Sequence, residues 1–116
     1  MSVPLYQVKA EFFRTLGHPV RIQVLELLQD GPRSVRDLLD AIEVEPSNMS
    51  QHLAMLRRTR IVVATREGAT MVYSLSSADV AELLRSACRI LADMIVGQGE
   101  LLAELREAEN RRPRPG

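Results

Sequence analysis

Ser, Asn and Gln side chains recur at helical spacing in segment 46–58, PSNMSQHLAMLRR. Met49, Leu53 and Leu56 stand at i, i+4 and i+7, so one face of this helix is expected to be buried. The opposite face then starts with uncharged groups that donate and accept hydrogen bonds. Such groups can contact base edges in the major groove, where Asn and Gln pair bidentately with adenine. The side chains predicted to contact bases are Asn48, Ser50 and Gln51, with His52 beside them near the apolar side.

Arginine side chains follow this polar segment. Between Ser47 and Arg66 there are four arginines and no acidic residue. From Asp79 to Glu109, by contrast, seven acidic residues outnumber three arginines, and the net charge of the whole chain is zero. Clustered arginines are typical of phosphate contacts, although the same residues also suit a solvated surface. Under the first interpretation, the phosphate contacts come from Ser47, Arg57 and Arg66, and Arg58 is a further residue predicted to bind DNA.

The rest of the composition argues against several function classes. The 116 residues include one cysteine, Cys88, which excludes an intramolecular disulfide and favours a reducing, cytoplasmic location. The first residues do not resemble a signal peptide, and no apolar run approaches the ~20 residues of a membrane span. We find no nucleophile–base pair, phosphate-binding glycine loop or carboxylate arrangement typical of an active site. We therefore expect neither an enzyme nor a cofactor.

Three helices are predicted before the polar one, because apolar residues recur there with a period near 3.6. Gly17 ends the first helix, and Pro19 begins the second at a position where its missing N–H costs nothing. Ser34 is expected to cap the third helix, with Asp37 three residues later reaching back. The predicted helices are Leu5–Leu16, Pro19–Gln29 and Val35–Ile42, and a fourth begins at Pro46 with Glu45 as its cap.

A β-hairpin is predicted directly after the polar helix. Two runs of β-forming residues, 61–65 and 70–75, flank a turn that contains Gly68, with Ile61 and Val63 expected to face inward. Two helices joined by a short turn and followed by a hairpin form a winged helix-turn-helix, which places one helix in the major groove. The predicted fold is thus mainly α with a small β-hairpin, in one domain spanning residues 1–110 with a disordered tail at 111–116.

A long apolar stripe follows the hairpin, in a helix expected to be capped by Ser76 or Ser77. The stripe continues for about seven turns, more than so small a core can cover, and the first helix has a similar surplus. Because exposed stripes of this length are a liability in a monomer, we expect a homodimer through the first and last helices. An intramolecular helical hairpin is the alternative, and Gly97 and Gly99 can break or bend the helix. The predicted interface residues are Leu5, Val8, Phe12, Val80, Leu83, Leu84, Ala87, Leu91 and Met94.

Three motifs in this order resemble a known family. They are HPVRIQVLELL at 18–28, SNMSQHLAMLR at 47–57 and VYSL at 72–75. The sequence from about residue 5 to 95 resembles the ArsR/SmtB family of bacterial transcriptional repressors, although His18 stands where the family usually has Asp. The resemblance implies a homodimer that binds an operator in double-stranded DNA and is released by a signal. It also implies that the helix beginning at Pro46 is the recognition helix.

The metal sites known in that family are not matched by this sequence. One type uses a Cys-x-Cys pair in the third helix, but residues 34–42 contain neither Cys nor His. The other type begins with an Asp-x-His pair in the last helix; Asp79 fits, but Ala81 stands in the place of His. The two histidines and one cysteine of the chain cannot complete a tetrahedral site within a protomer. We therefore expect no metal site.

The predicted function is sequence-specific DNA binding by a transcriptional repressor that recognises an inverted repeat. The alternative is a winged-helix module that binds a protein and has lost its DNA contacts, against which the acid-free stretch 47–66 argues. The sequence does not identify an inducer. A redox role for Cys88 requires an exposed thiolate, which Arg85 and Arg89 would favour. A lone cysteine in an apolar helix is more often a small packed residue.

Overall fold

A computed structural model describes residues 2–95 and 99–111 of the chain. The chain divides into two compact units, residues 1–76 and 77–116. The first unit contains four helices and a small sheet, and the second contains two helices. In chain order the elements are α1 (Leu5–Leu16), α2 (Pro19–Leu28), β1 (Arg33–Ser34), α3 (Val35–Ala41), α4 (Pro46–Arg58), β2 (Val62–Glu67), β3 (Thr70–Leu75), α5 (Ala78–Met94) and α6 (Gly99–Asn110).

The helices of the first unit begin at the residues that the sequence indicated. His18 is the N-cap of α2, where its Nδ1 accepts a 3.1 Å hydrogen bond from the N–H of Val20 and Pro19 takes the first helical position. Helices α2 and α3 each end one residue earlier than predicted, because Gln29 and Ile42 are their C-caps. The buried apolar side chains of these helices form much of the core: Leu16, Val24, Leu25, Leu28, Leu38 and Ile42.

Helices α3 and α4 form the helix-turn-helix. The hydroxyl of Ser34 accepts a 3.1 Å bond from the N–H of Asp37, whose carboxylate accepts a 3.4 Å bond from the N–H of Ser34. This reciprocal capping box was predicted from the sequence. Helix α4 begins at Pro46 as predicted, although the side chain of its N-cap residue, Glu45, makes no capping hydrogen bond. The apolar face of α4 is buried as predicted, through Met49, Leu53 and Leu56.

The end of α4 is a Schellman motif in which Arg60 occupies the left-handed position, with a φ of 63°. The N–H of Arg60 donates to the carbonyl of Arg57, and the N–H of Ile61 donates to the carbonyl of Leu56, both at 3.0 Å. The carbonyl of Ile61 in turn accepts bonds from the N–H and the hydroxyl of Ser76, at 3.0 and 2.9 Å. One buried residue therefore joins the end of α4 to the base of the hairpin.

The hairpin belongs to a three-stranded antiparallel sheet with the order β1-β3-β2. Strand β1 pairs with β3 through Arg33 opposite Tyr73 and Ser34 opposite Val72. The sequence did not predict β1, because a strand of two residues has no periodicity to recognise. Strands β2 and β3 pair in register around a tight turn in which Gly68 has a φ of 65°. The wing is thus a three-stranded sheet rather than a hairpin alone.

The start of β2 differs from the prediction. The strand spans Val62–Glu67 rather than 61–65, because Ile61 belongs to the turn that ends α4. Ile61 and Val62 are both buried, whereas the side chain of Val63 is 46% exposed. The prediction that Val63 faces inward was therefore wrong: with the alternation starting at Val62, the next side chain must point away from the core.

The second unit consists of α5 and α6, which pack against each other. Helix α5 begins after Ser77, whose hydroxyl accepts a 3.0 Å bond from the N–H of Asp79, so Ser77 is the cap of the two candidates. The apolar stripe is divided between two helices, and α6 begins at Gly99. Gly97 and residues 112–116 of the predicted tail lie outside the described residues. Within the described ranges, no helix is both long and apolar enough to span a membrane.

Candidate nucleic-acid interface

The exposed face of α4 carries the small polar side chains that the sequence placed there. Pro46 starts this helix, so polar groups begin in its first turn and project opposite the buried apolar residues. No acidic residue interrupts them between residues 46 and 58. A surface of this kind can enter a major groove about 12 Å wide and form hydrogen bonds with base edges. The exposed polar residues are Ser47, Asn48, Ser50 and Gln51.

An open cleft of about 430 Å³ adjoins this polar face, where α4 meets the sheet. Its lining includes Ser50, Arg57 and Arg58 from α4 and Tyr73 from β3. Both arginines are exposed, as is Arg66 near the tip of the wing on β2. Guanidinium and hydroxyl groups at the edge of a groove are the usual donors to phosphate oxygens. The structure therefore brings the predicted arginines of α4 to one cleft and leaves Arg66 separately on the wing.

Tyr73 is a polar residue of this cleft that was not predicted from the sequence as a DNA contact. Tyr73 shares one face of β3 with Met71 and Leu75, because side chains two residues apart lie on the same side of a strand. The side chain is half-buried and lines the cleft beside Arg58. The packing of the sheet on α4 brings this aromatic side chain to the cleft, and strand periodicity carries no information about that packing.

His52 differs from the other predicted DNA contacts because it is half-buried. Its Nδ1 accepts a 3.0 Å hydrogen bond from Nε of Arg21 on α2. The rings of His52 and His18 lie 4.2 Å apart between centroids, at an angle of 47°. Partial burial, the His18 ring and the Arg21 guanidinium lower the pKa of His52 below its ordinary value. His52 thus forms part of the contact between α2 and α4, and its Nδ1 is directed to Arg21.

Comparison with known proteins places this helix-turn-helix in a family. The model described as "Bacterial regulatory protein, arsR family" matches residues 18–63, from the cap of α2 into β2. The HTH-type transcriptional regulator Rv0081 of Mycobacterium tuberculosis (strain ATCC 25618 / H37Rv) is 48% identical over 106 residues, 90% of this chain and 93% of that protein. The chain belongs to the arsR family of bacterial regulatory proteins. It is therefore a winged helix-turn-helix transcriptional regulator of the DNA-binding class.

Solved structures of similar proteins have this fold. The crystal structure of Rv0081 has a TM-score of 0.75 at 51% identity and covers 80% of this chain and 94% of that one. A solution structure of Mb0332 from Mycobacterium bovis, described as a homodimeric winged helix-turn-helix DNA-binding domain, has a TM-score of 0.68 at 27% identity. That match covers 83% of this chain and 94% of the other. The transcriptional activator HlyU of Vibrio cholerae is 35% identical over 77 residues, 66% of this chain and 71% of HlyU.

The arsR family consists of transcriptional regulators rather than enzymes. This membership confirms the prediction that the chain is not an enzyme. Among the residues that the structure describes, no group of three or more His, Cys, Asp and Glu side chains is placed to hold a metal ion.

The residues predicted for an arsR-type dimer interface differ in exposure. Val80 and Leu84 are only 8% and 7% exposed within the single chain, so they offer little surface to a partner. Phe12 and Leu83 are half-buried. Large apolar side chains outside the predicted set are also exposed, namely Tyr6 and Phe13 on α1 and Ile90 on α5. The predicted interface residues that are exposed are Leu5, Val8, Ala87, Leu91 and Met94.

Cys88 lies half-buried on α5, at a cavity of about 330 Å³ between α5 and α6. The two arginines expected to favour its thiolate both donate to one carboxylate instead. Arg85 binds Glu82 at 2.5 Å and Arg89 binds it at 3.5 Å. The hydrogen bond and charge of Arg85, with a smaller contribution from Arg89, lower the pKa of Glu82. Glu82 thus offsets one of the two positive charges that would otherwise favour a thiolate at Cys88.

Proposed function

We propose that this protein is a repressor that binds an inverted-repeat operator as a homodimer and reads bases with α4. The observation that carries the proposal is the division of α4 into a fully buried apolar face and an exposed, acid-free polar face. Asn48, Ser50 and Gln51 are the base-contacting residues, because they lie in the first turns of the helix. Ser47, Arg57 and Arg66 are expected to contact phosphates, since they flank that surface.

Homodimerisation is supported by apolar side chains that a single chain leaves exposed. On α1, Leu5 is 67% exposed, and on α5, Met94 is 72% exposed. Burial of such side chains against a second copy would remove a large apolar area from water. The described homodimeric state of Mb0332 is consistent with this proposal. Two recognition helices related by a two-fold axis would contact half-sites about 10 base pairs apart or slightly more.

We also propose that this regulator lacks the metal sites of its relatives. The sequence has no Cys or His in α3, and Ala81 stands on α5 where one type of site requires His. Thiolate, imidazole and carboxylate groups are the ligands that zinc and similar ions need in sets of three or four. The signal that releases the operator is then something other than a metal bound at those positions.

The experiment is a selection from a pool of random duplexes, followed by affinity measurements on the selected and a scrambled duplex. Wild-type protein is expected to enrich an inverted repeat. Gln51→Ala should lower affinity for the selected duplex by about 1–3 kcal/mol and leave the scrambled duplex nearly unaffected. The control is Arg111→Ala, which removes an exposed side chain of the second unit. It should leave the affinities for the selected and the scrambled duplex unchanged.

The competing function is a winged-helix module that binds a protein. Failure to enrich any duplex at low salt would favour that alternative and contradict the proposal. The direction of regulation is measured separately, by transcription in vitro from a promoter that carries the selected site. A repressor lowers the transcript yield as it saturates the site, whereas an activator raises it.

A further inference from the structure

Arg21 connects three helices of the first unit through one guanidinium group. Its Nε donates to Nδ1 of His52 on α4 at 3.0 Å, and its Nη1 donates to the carbonyl of Thr15 on α1 at 3.2 Å. Arg21 itself belongs to α2, so the group lies where these helices meet. Thr15 is buried and Arg21 and His52 are half-buried, which reduces competition from water for both bonds. A planar guanidinium holds two acceptors in a fixed geometry.

Both histidines at this contact accept hydrogen bonds at Nδ1. His18 accepts from the N–H of Val20, which caps α2, and His52 accepts from Arg21. While the Nδ1 of His52 accepts this bond, its ring must be neutral, with the proton on Nε2. Protonation of His52 would place a hydrogen on Nδ1 facing a guanidinium that is always charged. The bond from Arg21 would then be replaced by repulsion between two cations.

We propose that Arg21 is a positioning residue for DNA recognition: it fixes α4 through His52, and this connection holds only while His52 is neutral. The inference rests on the proposed function, because it concerns how the base-contacting residues are held. Gln51 and His52 are consecutive on α4, so a shift of the His52 side chain and its helix turn would displace a base-contacting residue. Hydrogen bonds to bases depend steeply on distance and angle, so small displacements reduce sequence discrimination.

The charged surroundings of His52 determine the direction of the pH effect. Partial burial lowers its pKa, and the side chains of His18, the cap of α2, and Arg21 on α2 lower it further. Strand β2, which also packs on α4, carries its charged residues Arg66 and Glu67 at the exposed wing tip. His52 is therefore neutral at pH 7.5 and becomes protonated as the pH falls below the ordinary histidine range. Protonation also adds positive charge, which strengthens binding to every duplex alike, so the discriminating quantity is the ratio of affinities.

The test measures affinity for the selected and the scrambled duplex from about pH 7.5 to about pH 5.5 at constant ionic strength. Wild-type protein is expected to lose selectivity by about tenfold, the change that corresponds to one hydrogen bond to a charged group. His52→Asn keeps an acceptor at the position of Nδ1 but cannot titrate, so its selectivity should stay high and independent of pH. Arg21→Met should have low selectivity at every pH, while the control Arg111→Met should match wild type.

An NMR titration of the two histidine rings provides a readout that does not involve DNA. In Arg21→Met the pKa of His52 should rise relative to wild type, because a neighbouring cation and its hydrogen bond are removed. A His52→Asn variant that loses selectivity on acidification as wild type does would overturn the proposal. So would an unchanged His52 pKa in a folded Arg21→Met variant. A wild-type protein that prefers no duplex at any pH would instead contradict the proposed function itself, together with the role of Arg21 in it.

Discussion

Arg60 is strained because it occupies a left-handed helix-ending position that is usually filled by glycine. A non-glycine residue in the left-handed region costs about 1–3 kcal/mol, and such residues often occur at functional sites. We predict that Arg60→Gly raises the free energy of unfolding by about 1 kcal/mol, after allowance for the greater freedom of glycine in the unfolded chain. Urea unfolding of Arg60→Gly and Arg60→Ala measures this, because alanine removes the same side chain without relieving the strain. Equal stability of the two variants would show that the strain is absent.

Arg66 on the wing is predicted to contact phosphate rather than bases. Arg66→Ala should weaken binding to all duplexes by a similar factor and reduce the salt dependence of binding by about one contact. Affinities measured across a range of salt concentrations give the slope. Arg111→Ala changes net charge equally and serves as the control for long-range electrostatics. If the slopes of Arg66→Ala and wild type coincide, the wing does not contact the DNA backbone.

For individual residues, the sequence correctly predicted the features that depend on spacing within a single helix. The buried and exposed faces of α4 and the Ser34 capping box follow from intervals of three and four residues. The bond from Arg21 to His52 was not predicted, because 31 residues separate the two and no periodicity relates them. Tyr73 was not predicted as a cleft residue either, because its position depends on how the sheet packs on α4, and the sequence spacing within β3 does not determine that packing.

The capping box at Ser34 stabilises the start of α3, the helix that precedes α4. Ser34→Ala removes the acceptor for the N–H of Asp37 and should lower the free energy of unfolding by about 1 kcal/mol. Thermal or urea unfolding measures the change, with Ser2→Ala at the exposed start of the chain as the control. Ser34→Asn should recover most of the loss, because Asn is an equally good N-cap. An unchanged stability in Ser34→Ala would mean that water replaces the cap without cost.

Helices α3 and α5 also determine the expected response to metals. Residues 34–42 contain no Cys or His, and Ala81 stands on α5 where one proposed type of site requires His, so zinc, nickel, cadmium and arsenite should not release the selected duplex. Fluorescence anisotropy with a labelled duplex measures release as each ion is added at physiological concentration. The chelator-treated protein is the reference. If any one of these ions released the duplex at a concentration equal to that of the protein, the protein would have a metal site that its sequence does not reveal.

Element boundaries show where sequence periodicity stops being informative. Helices α2, α3, α4 and α5 start where a proline or a capping side chain marks them. The start of β2 was predicted one residue too early because the run of β-branched residues begins at Ile61. Ile61 is buried, but its N–H donates to Leu56 in the Schellman motif that ends α4. The division of the last apolar stripe into α5 and α6 was anticipated only as one option, because glycine permits a break without requiring it.

For the whole molecule, assembly is predicted to depend on the exposed apolar residues of α5. Leu91→Glu and Met94→Glu place a charge on surface that a partner would cover, so each should shift the protein from dimer to monomer. Sedimentation at micromolar concentration measures the change. Asn110→Glu, exposed on α6, adds the same charge and should leave assembly unchanged. Leu84→Glu is a poor test, because Leu84 is buried in the single chain and its loss would destabilise the fold.

A wild-type protein that sediments as a monomer at micromolar concentration would contradict the dimer directly. Dimerisation could be inferred from the sequence only as a surplus of apolar residues, because periodicity cannot separate side chains buried within a chain from those buried between chains. Val80 and Leu91 belong to the same stripe of α5, yet one is buried in the single chain and the other is exposed. That difference depends on tertiary packing alone.

The separation of α4 into two faces also bears on how such a regulator changes over evolutionary time. Helix α4 contributes to the core through three buried side chains, whereas the proposed DNA contacts are exposed on its opposite side. Exposed substitutions away from special features usually change stability by less than about 0.5 kcal/mol. After gene duplication, one copy can therefore drift to a new operator through changes at Asn48, Ser50 or Gln51 while its fold remains under the same selection. The helix lets paralogues diverge in target without first acquiring compensating mutations.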